Sequence, residues 1–290
     1  MDTLVSQVLS GFASGSIYAS LAFALVMIHQ STHQINLAQG EMAMFSTYIA
    51  WSLLAAGLPY WLAFSLTVLI AFAGGVVIER VVIRPMGRAP LLSMVVVFIA
   101  LFVMLNSLAG WIFTYEVKSF PSPFPDEIIS GNTYVSGHEV GAIGVTLAML
   151  LLLYAFFRHT SLGLAMRASA ENPVSSRLVG IRVEWMRALG WGLAAAIGAV
   201  AGMMIAPIVF LDPNRMIGVL LYAFAAALLG GIDNPWGAAL GGLILGVIEN
   251  LAGAYVVGTQ MKQSVALMVI VLVLIARPSG LFGKARASRV

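Results

Sequence analysis

Few residues in this chain have chemical capacity, and several lie where apolar sequence surrounds them. Asn36, Gln39, Gly40 and Glu41 close a polar run from Gln30 to Glu41 that separates two apolar stretches. Amides and a carboxylate at that spacing break no bonds by themselves. They can line a watery cavity or complete the hydrogen bonds of an interrupted helix. The same composition also suits an ordinary cytoplasmic turn that leads into a helix. Asn106 and Ser107 interrupt the stretch 91–114, and Glu249 and Asn250 interrupt 237–257. An acid inside such a stretch is either functional or hydrogen-bonded between helices. No Lys or Arg shares the Glu249 stretch to neutralise it. His29 and His33 are four apart, but no third ligand lies nearby, so no metal is expected.

Catalysis finds no foothold. The four histidines (29, 33, 138 and 159) belong to no Ser/His/Asp cluster and to no HExxH element, and there is no cysteine. No G-x-x-x-x-G-K-[ST] element is present to cradle a nucleotide. The chain is expected not to be an enzyme, to carry no catalytic residue and to bind no cofactor.

The elements that must position these groups follow from composition. Of the 290 residues, 60% are hydrophobic and 9% are charged, against about 25% charged in an ordinary soluble domain. Mean hydropathy is +0.97. Too few polar groups exist to cover a water-facing globule, so an all-α, polytopic transmembrane bundle is expected. Apolar stretches run at about 4–28, 42–56, 61–83, 91–114, 141–157, 188–211, 218–232, 237–257 and 264–276. A bilayer core needs about 20 apolar residues per helix. Eight or nine spans are therefore expected, with the short stretches 42–56, 218–232 and 264–276 tilted, re-entrant or extended. The first stretch has no basic residues before it and reads as a retained helix, not a signal peptide. No polar segment is long enough for an independent core, so residues 1–290 read as one membrane domain.

Charge orients it. Arg80, Arg84 and Arg88 form one basic cluster. Arg158, Arg167, Arg177, Arg182 and Arg187 lie in a second. Arg277, Lys284, Arg286 and Arg289 lie in the tail. The positive-inside rule puts all three in the cytoplasm. The segment of about 115–140 holds Glu116, Asp126, Glu127 and Glu139 against Lys118 and reads as the largest external loop. The N-terminus then falls outside.

Glycine spacing suggests close helix contacts: Gly11 and Gly15, Gly198 and Gly202, Gly237 and Gly241, and Gly242 and Gly246 are each four apart. The run Gly230 to Gly237, GGIDNPWG, reads as a helical hairpin or a re-entrant turn. In the loop 158–187, Pro173 suits a first helical turn. Val174, Leu178 and Ile181 then share one face of a short amphipathic helix ending near Gly180. Its apolar face needs lipid headgroups or a groove on a partner protein, and the residues alone leave both open.

These segments resemble the LivH-type permeases of branched-chain amino-acid ABC importers, grouped with ribose permeases. The resemblance runs nearly the whole chain. It is strongest at INLAQGEMAM (35–44), IERVVIRPM (78–86), TSLGLAMRASAENPVSSRLVGI (160–181), 230–250 and RPSGLFG (277–283). It implies the ABC importer permease fold in a bacterial cytoplasmic membrane. It also implies a second, LivM-like permease subunit, two cytoplasmic ATPases that use ATP and Mg, and an extracytoplasmic solute-binding protein. No nucleic-acid partner is expected. The resemblance places a coupling helix around Ala168–Gly180, with Arg167, Glu171, Asn172, Leu178 and Gly180 among the matching residues. It assigns a pathway-lining role to Asn36, Gln39 and Glu41; Gly40, Asn106, Glu249 and Asn250 join them as pathway candidates. Ala38-Gln39 stands where many relatives have Ala-His, which changes the polarity there. Within the family the solute can also be urea, a short amide or an aromatic acid. A gradient-driven secondary transporter is the alternative from another class.

Overall fold

The computed structural model describes residues 2–32, 34–87, 89–125, 136–214, 216–277 and 279–283. His33, Arg88, Asp126, Glu127, Lys284, Arg286 and Arg289, which entered the readings above, lie outside the described residues. The rest is almost entirely helical. In chain order the helices are α1 (Asp2–Thr32), α2 (Gln39–Ala55), α3 (Tyr60–Ile78), α4 (Leu91–Phe113), α5 (Gly137–His159) and α6 (Ser161–Glu171). They continue as α7 (Pro173–Leu178), α8 (Val183–Val209), α9 (Met216–Gly230), α10 (Pro235–Ala252) and α11 (Lys262–Ala276). A π-helical turn, Glu79–Ile83, continues α3, and another, Gly253–Val257, continues α10. The only extended pairing among the described residues is one antiparallel bridge, in which Lys118 and Leu211 exchange N–H···O bonds of 2.9 Å.

Among the described residues, seven helices are long and apolar enough to cross a membrane, and Met216–Gly230 is a shorter apolar one. Eight of the nine expected apolar stretches are found on these elements. The ninth, 42–56, falls on α2, which is 17 residues long. The chain is a multi-span membrane protein.

Contacts group the chain into two units. One comprises 1–26, 122–146 and 218–290; the other comprises 27–121 and 147–217. In the first, α1 and α10 cross where glycine meets glycine. A Cβ on Gly11 would lie 2.8 Å from Val247 Cα, one on Gly15 would lie 2.9 Å from the Gly242 carbonyl oxygen, and one on Gly246 would collide with Gly15. Lipid offers no hydrophobic drive between helices, so association rests on backbones brought this close. GGIDNPWG is the tight turn joining α9 to α10. The RPSGLFG segment straps it, since Leu281 N–H donates to Leu229 O (2.8 Å) and Phe282 N–H to Gly230 O (3.0 Å).

In the second unit α8 is the central post. Ala194, Ala195, Gly198, Ala199, Ala201 and Gly202 are all buried. α3 packs along one side: a Cβ on Gly75 would lie 2.5 Å from the Trp191 carbonyl oxygen, and one on Gly192 would lie 2.9 Å from that of Phe72. α2 packs along another side, where Gly198 and Gly202 leave room for Gln39, Ala43 and Thr47. Trp191, fully buried, stacks on Phe98 of α4 at 6.2 Å.

Candidate functional site

The polar run before α2 is not a solvated turn. Asn36, Gln39 and Glu41 are all fully buried, the first held by local bonds and the other two also by neighbouring helices. Asn36 Oδ1 accepts from Ala38 N–H at 3.0 Å, an Asx turn that starts the helix. Its amide nitrogen donates to Gln39 Oε1 at 3.4 Å. Gln39 Nε2 in turn donates to the Ala194 carbonyl of α8 at 2.9 Å. A mid-helix carbonyl normally serves its own helix, so this bond anchors the start of α2 at mid-length on α8. The Cβ space left free at Gly198 is where the Gln39 amide sits. Gly40 is buried in the first turn of α2.

Glu41 stands apart from that closed set. Its Oε2 accepts from Asn106 Nδ2 of α4 at 3.4 Å, and the same Asn106 amide donates to the Pro213 carbonyl at 3.0 Å. Its Oε1 is buried and accepts no hydrogen bond among the described residues. The structure thus brings Asn106 to Glu41, 65 positions away, beside the run that holds Asn36, Gln39 and Gly40. The Pro213 carbonyl completes the set, and nothing in the sequence marks it.

Glu249 and Asn250 belong to the other unit and form a separate cluster. Asn250 Nδ2 donates to Gln7 O (2.7 Å) and Gln7 Oε1 (2.9 Å), and Lys262 Nζ donates to Asn250 Oδ1 (2.7 Å). The stacked Tyr18 and Tyr222 rings, 4.8 Å apart, lie beside Glu249, whose Oε2 is buried and accepts no hydrogen bond among the described residues. Lys262 lies near Glu249 but bonds the neighbouring Asn250 rather than the carboxylate. Lys262 comes from the next helix, and Gly253 makes room for its stem. The π-turn and the 3₁₀ turn Thr259–Met261 reverse the chain between them, which a search within one apolar stretch cannot find.

The loop 158–187 holds two helices rather than one running from Ala168 to Gly180. Arg167, Ala168 and Glu171 sit on α6, and Asn172 breaks the chain with φ −146° and ψ 94°. Pro173 explains the break, because it disfavours helical backbone at the residue before it. Asn172 then caps α7, its Oδ1 accepting from Ser175 N–H at 3.0 Å. At the far end Gly180 has φ +87°. Gly180 N–H donates to Arg177 O and Ile181 N–H to Ser176 O, both at 3.0 Å, which is a Schellman cap. The helix read from Pro173 to near Gly180 is thus present. Leu178 is 84% exposed, Val179 76% and Val174 67%, while Ser176 is buried. An apolar patch on a capped, one-and-a-half-turn helix faces outward, uncovered among the described residues.

Beside α7 lies a network of charged residues centred on an acid. Glu79, fully buried at the end of α3, accepts from Arg84 Nη2 at 3.0 Å and from Arg187 Nε at 2.7 Å. The same Arg84 nitrogen donates to the Glu184 carbonyl at 3.0 Å, and the Glu184 carboxylate pairs with Arg177 of α7 at 2.7 Å. Arg80 lies over the Trp185 ring at 3.7 Å. The available signal was an acid between an apolar span and two arginines.

No group of three or more His, Cys, Asp or Glu residues able to hold a metal occurs among the described residues.

Comparison with known proteins agrees with this architecture. Residues 7–276 match the family described as branched-chain amino acid transport system, permease component. The chain is 32% identical to the LivH high-affinity branched-chain amino acid transport system permease protein of Salmonella typhimurium, covering 99% of this chain and 97% of that one. It is also 32% identical to the BraD permease protein of Pseudomonas aeruginosa, with 99% and 98% covered. Among solved structures, PsaBC from Streptococcus pneumoniae in complex with Fab shares the fold at a TM-score of 0.51 and 12% identity, over 96% of this chain and 93% of that one. The chain belongs to the family of permease components of branched-chain amino acid transport systems.

Proposed function

We propose that this chain is the membrane permease subunit of an ATP-driven importer and forms the translocation pathway for branched-chain or related amino acids. The observation that carries the reading is a relationship to such permeases along essentially the entire chain. The whole chain acts as one permease domain. Its partners are a second, LivM-like permease subunit, two cytoplasmic ATPases and an extracytoplasmic solute-binding protein. It holds no cofactor of its own; ATP and Mg act in the ATPases. The N-terminus lies outside and the basic tail lies in the cytoplasm, as the arginine distribution requires.

α6 and α7 form the coupling element. The exposed Val174, Leu178 and Val179 supply an amphipathic anchor of the kind that seats in a protein groove. Asn172 and Gly180 fix its two ends. Binding of ATP in the partner favours one conformation of the permease, and transport follows from that difference in affinity between states. Asn36, Gln39, Glu41 and Asn106 are the pathway residues of one unit; Glu249 and Asn250 are separate candidates in the other. A closed state accounts for their burial.

Reconstitution of this chain with its companion permease, ATPases and binding protein tests the reading. Uptake of leucine, isoleucine or valine that needs ATP and the binding protein is the expected result. Uptake driven by an ion gradient with no ATPase present would replace it with secondary transport. The affinity of the binding protein for leucine, urea, short amides and aromatic acids decides the solute. Single replacement of Glu171, Leu178 and Gly180 tests the coupling element: unchanged assembly and uptake in all three would remove that role.

A further inference from the structure

We infer that Glu79 is a positioning residue that locks α3 to α8, so that the two carry a displacement of α7 as one body to the polar residues at the start of α2. The inference rests on the coupling role proposed for α7 and goes beyond it.

Three features make Glu79 a joint rather than a surface charge. It is fully buried, and both its oxygens are taken, by Arg84 and Arg187. Removing water from a carboxylate is costly unless paired charges compensate, so its presence at the end of an apolar helix demands both arginines at once. The backbone is shaped to deliver one of them. In a regular helix residues five apart point to different faces. The π-helical turn Glu79–Ile83, closed by Arg84 N–H donating to Glu79 O at 2.7 Å, widens the winding and returns Arg84 to the face of Glu79. The second arginine comes from α8. α3 and α8 are thus pinned by charge at one end and by the close backbone approach at Gly75 and Gly192 a turn further along.

The joint is connected at both ends. Arg84 also reaches the Glu184 carbonyl, and the Glu184 carboxylate holds Arg177 of α7. On the other side α8 carries Ala194 and Gly198, against which Gln39 is anchored. The contacts from α7 to the pathway residues are therefore continuous within one unit, and Glu79 is the place where α3 joins that line.

The test uses the full importer in proteoliposomes and reads solute imported per ATP hydrolysed. Glu79→Gln keeps the shape and removes the charge. The expected result is a fall of about tenfold in that ratio, with ATP hydrolysis per assembled complex within about twofold of the parent. Arg187→Gln, which removes the partner supplied by α8 and leaves Arg84 in place, should lower the ratio by a similar factor. A ratio equal to the parent's in Glu79→Gln overturns the inference. So does uptake and hydrolysis falling together in proportion to assembled complex, and so does failure of both variants to assemble, because only a folding role then remains. Leu178→Asp separates this from the underlying reading. If it leaves ATPase binding and uptake intact, the coupling role of α7 is lost, whatever Glu79 does.

Discussion

Two carboxylates in the same unit are both withdrawn from solvent, and they are treated in opposite ways. Glu79 is saturated, with an arginine on each oxygen and a third charge pair adjoining. Glu41 has one amide at 3.4 Å on one oxygen and no partner on the other among the described residues. A buried charge held on every side resists movement, since breaking any contact strands a charge in low dielectric. A buried acid with an empty acceptor is held weakly and gains from any donor that arrives. The first arrangement suits a joint between helices; the second suits a passage that must change its contacts.

The contrast can be broken experimentally, starting where the effect is greatest. Glu79→Ala should cost about 3–5 kcal/mol, because it leaves two arginines facing a void. Thermal denaturation of the purified complex in detergent measures it, and a loss no larger than that of an exposed charge would end the contrast. Gly75→Ala comes next. Its Cβ would lie 2.5 Å from a backbone oxygen, and overpacking of that kind costs about 1–3 kcal/mol. The same denaturation experiment should show it, with Gly57→Ala excluded as a control because that glycine has positive φ; Gly74→Ala, which meets open space, should be silent. Arg177→Ala removes a pair whose partners are exposed, so about 1 kcal/mol or less is expected. Repeating it at high salt should shrink the difference further. Glu41→Gln should change stability least, or raise it slightly, since it takes a charge out of the interior. Uptake by that variant should nevertheless fall by about tenfold, the size of one charge-assisted contact of about 1.5 kcal/mol. Normal uptake in Glu41→Gln would put Glu41 with the structural acids and erase the distinction.

Much of this was legible without coordinates. The apolar stretches fall on helices because length and hydropathy are properties of a segment alone. α7 was readable to within a residue or two. Proline at its start and glycine at its end act on their own backbone, and Asn172 caps through a bond only three residues long. The glycine pairs were visible as grooves, but their mates were not: spacing cannot say that Gly11 and Gly15 meet Gly242 and Gly246. The segment Ala168–Gly180, carried over by resemblance as one helix, is divided between α6 and α7 by the break at Asn172.

The site divides along the same line. Asn36 and Gln39 bond each other across three residues, and the sequence flagged both. Glu41 meets Asn106 across 65 positions, Glu79 meets Arg187 across 108, and Asn250 meets Gln7 across 243. Each of these contacts exists only because helices pack side by side. Composition, span placement and local caps were set by the sequence, since water, lipid and the nearest turn of backbone act on each segment independently. Which buried acid is clamped and which is left with an empty oxygen was decided by the tertiary structure, because only there does one helix supply, or withhold, the charge that another requires.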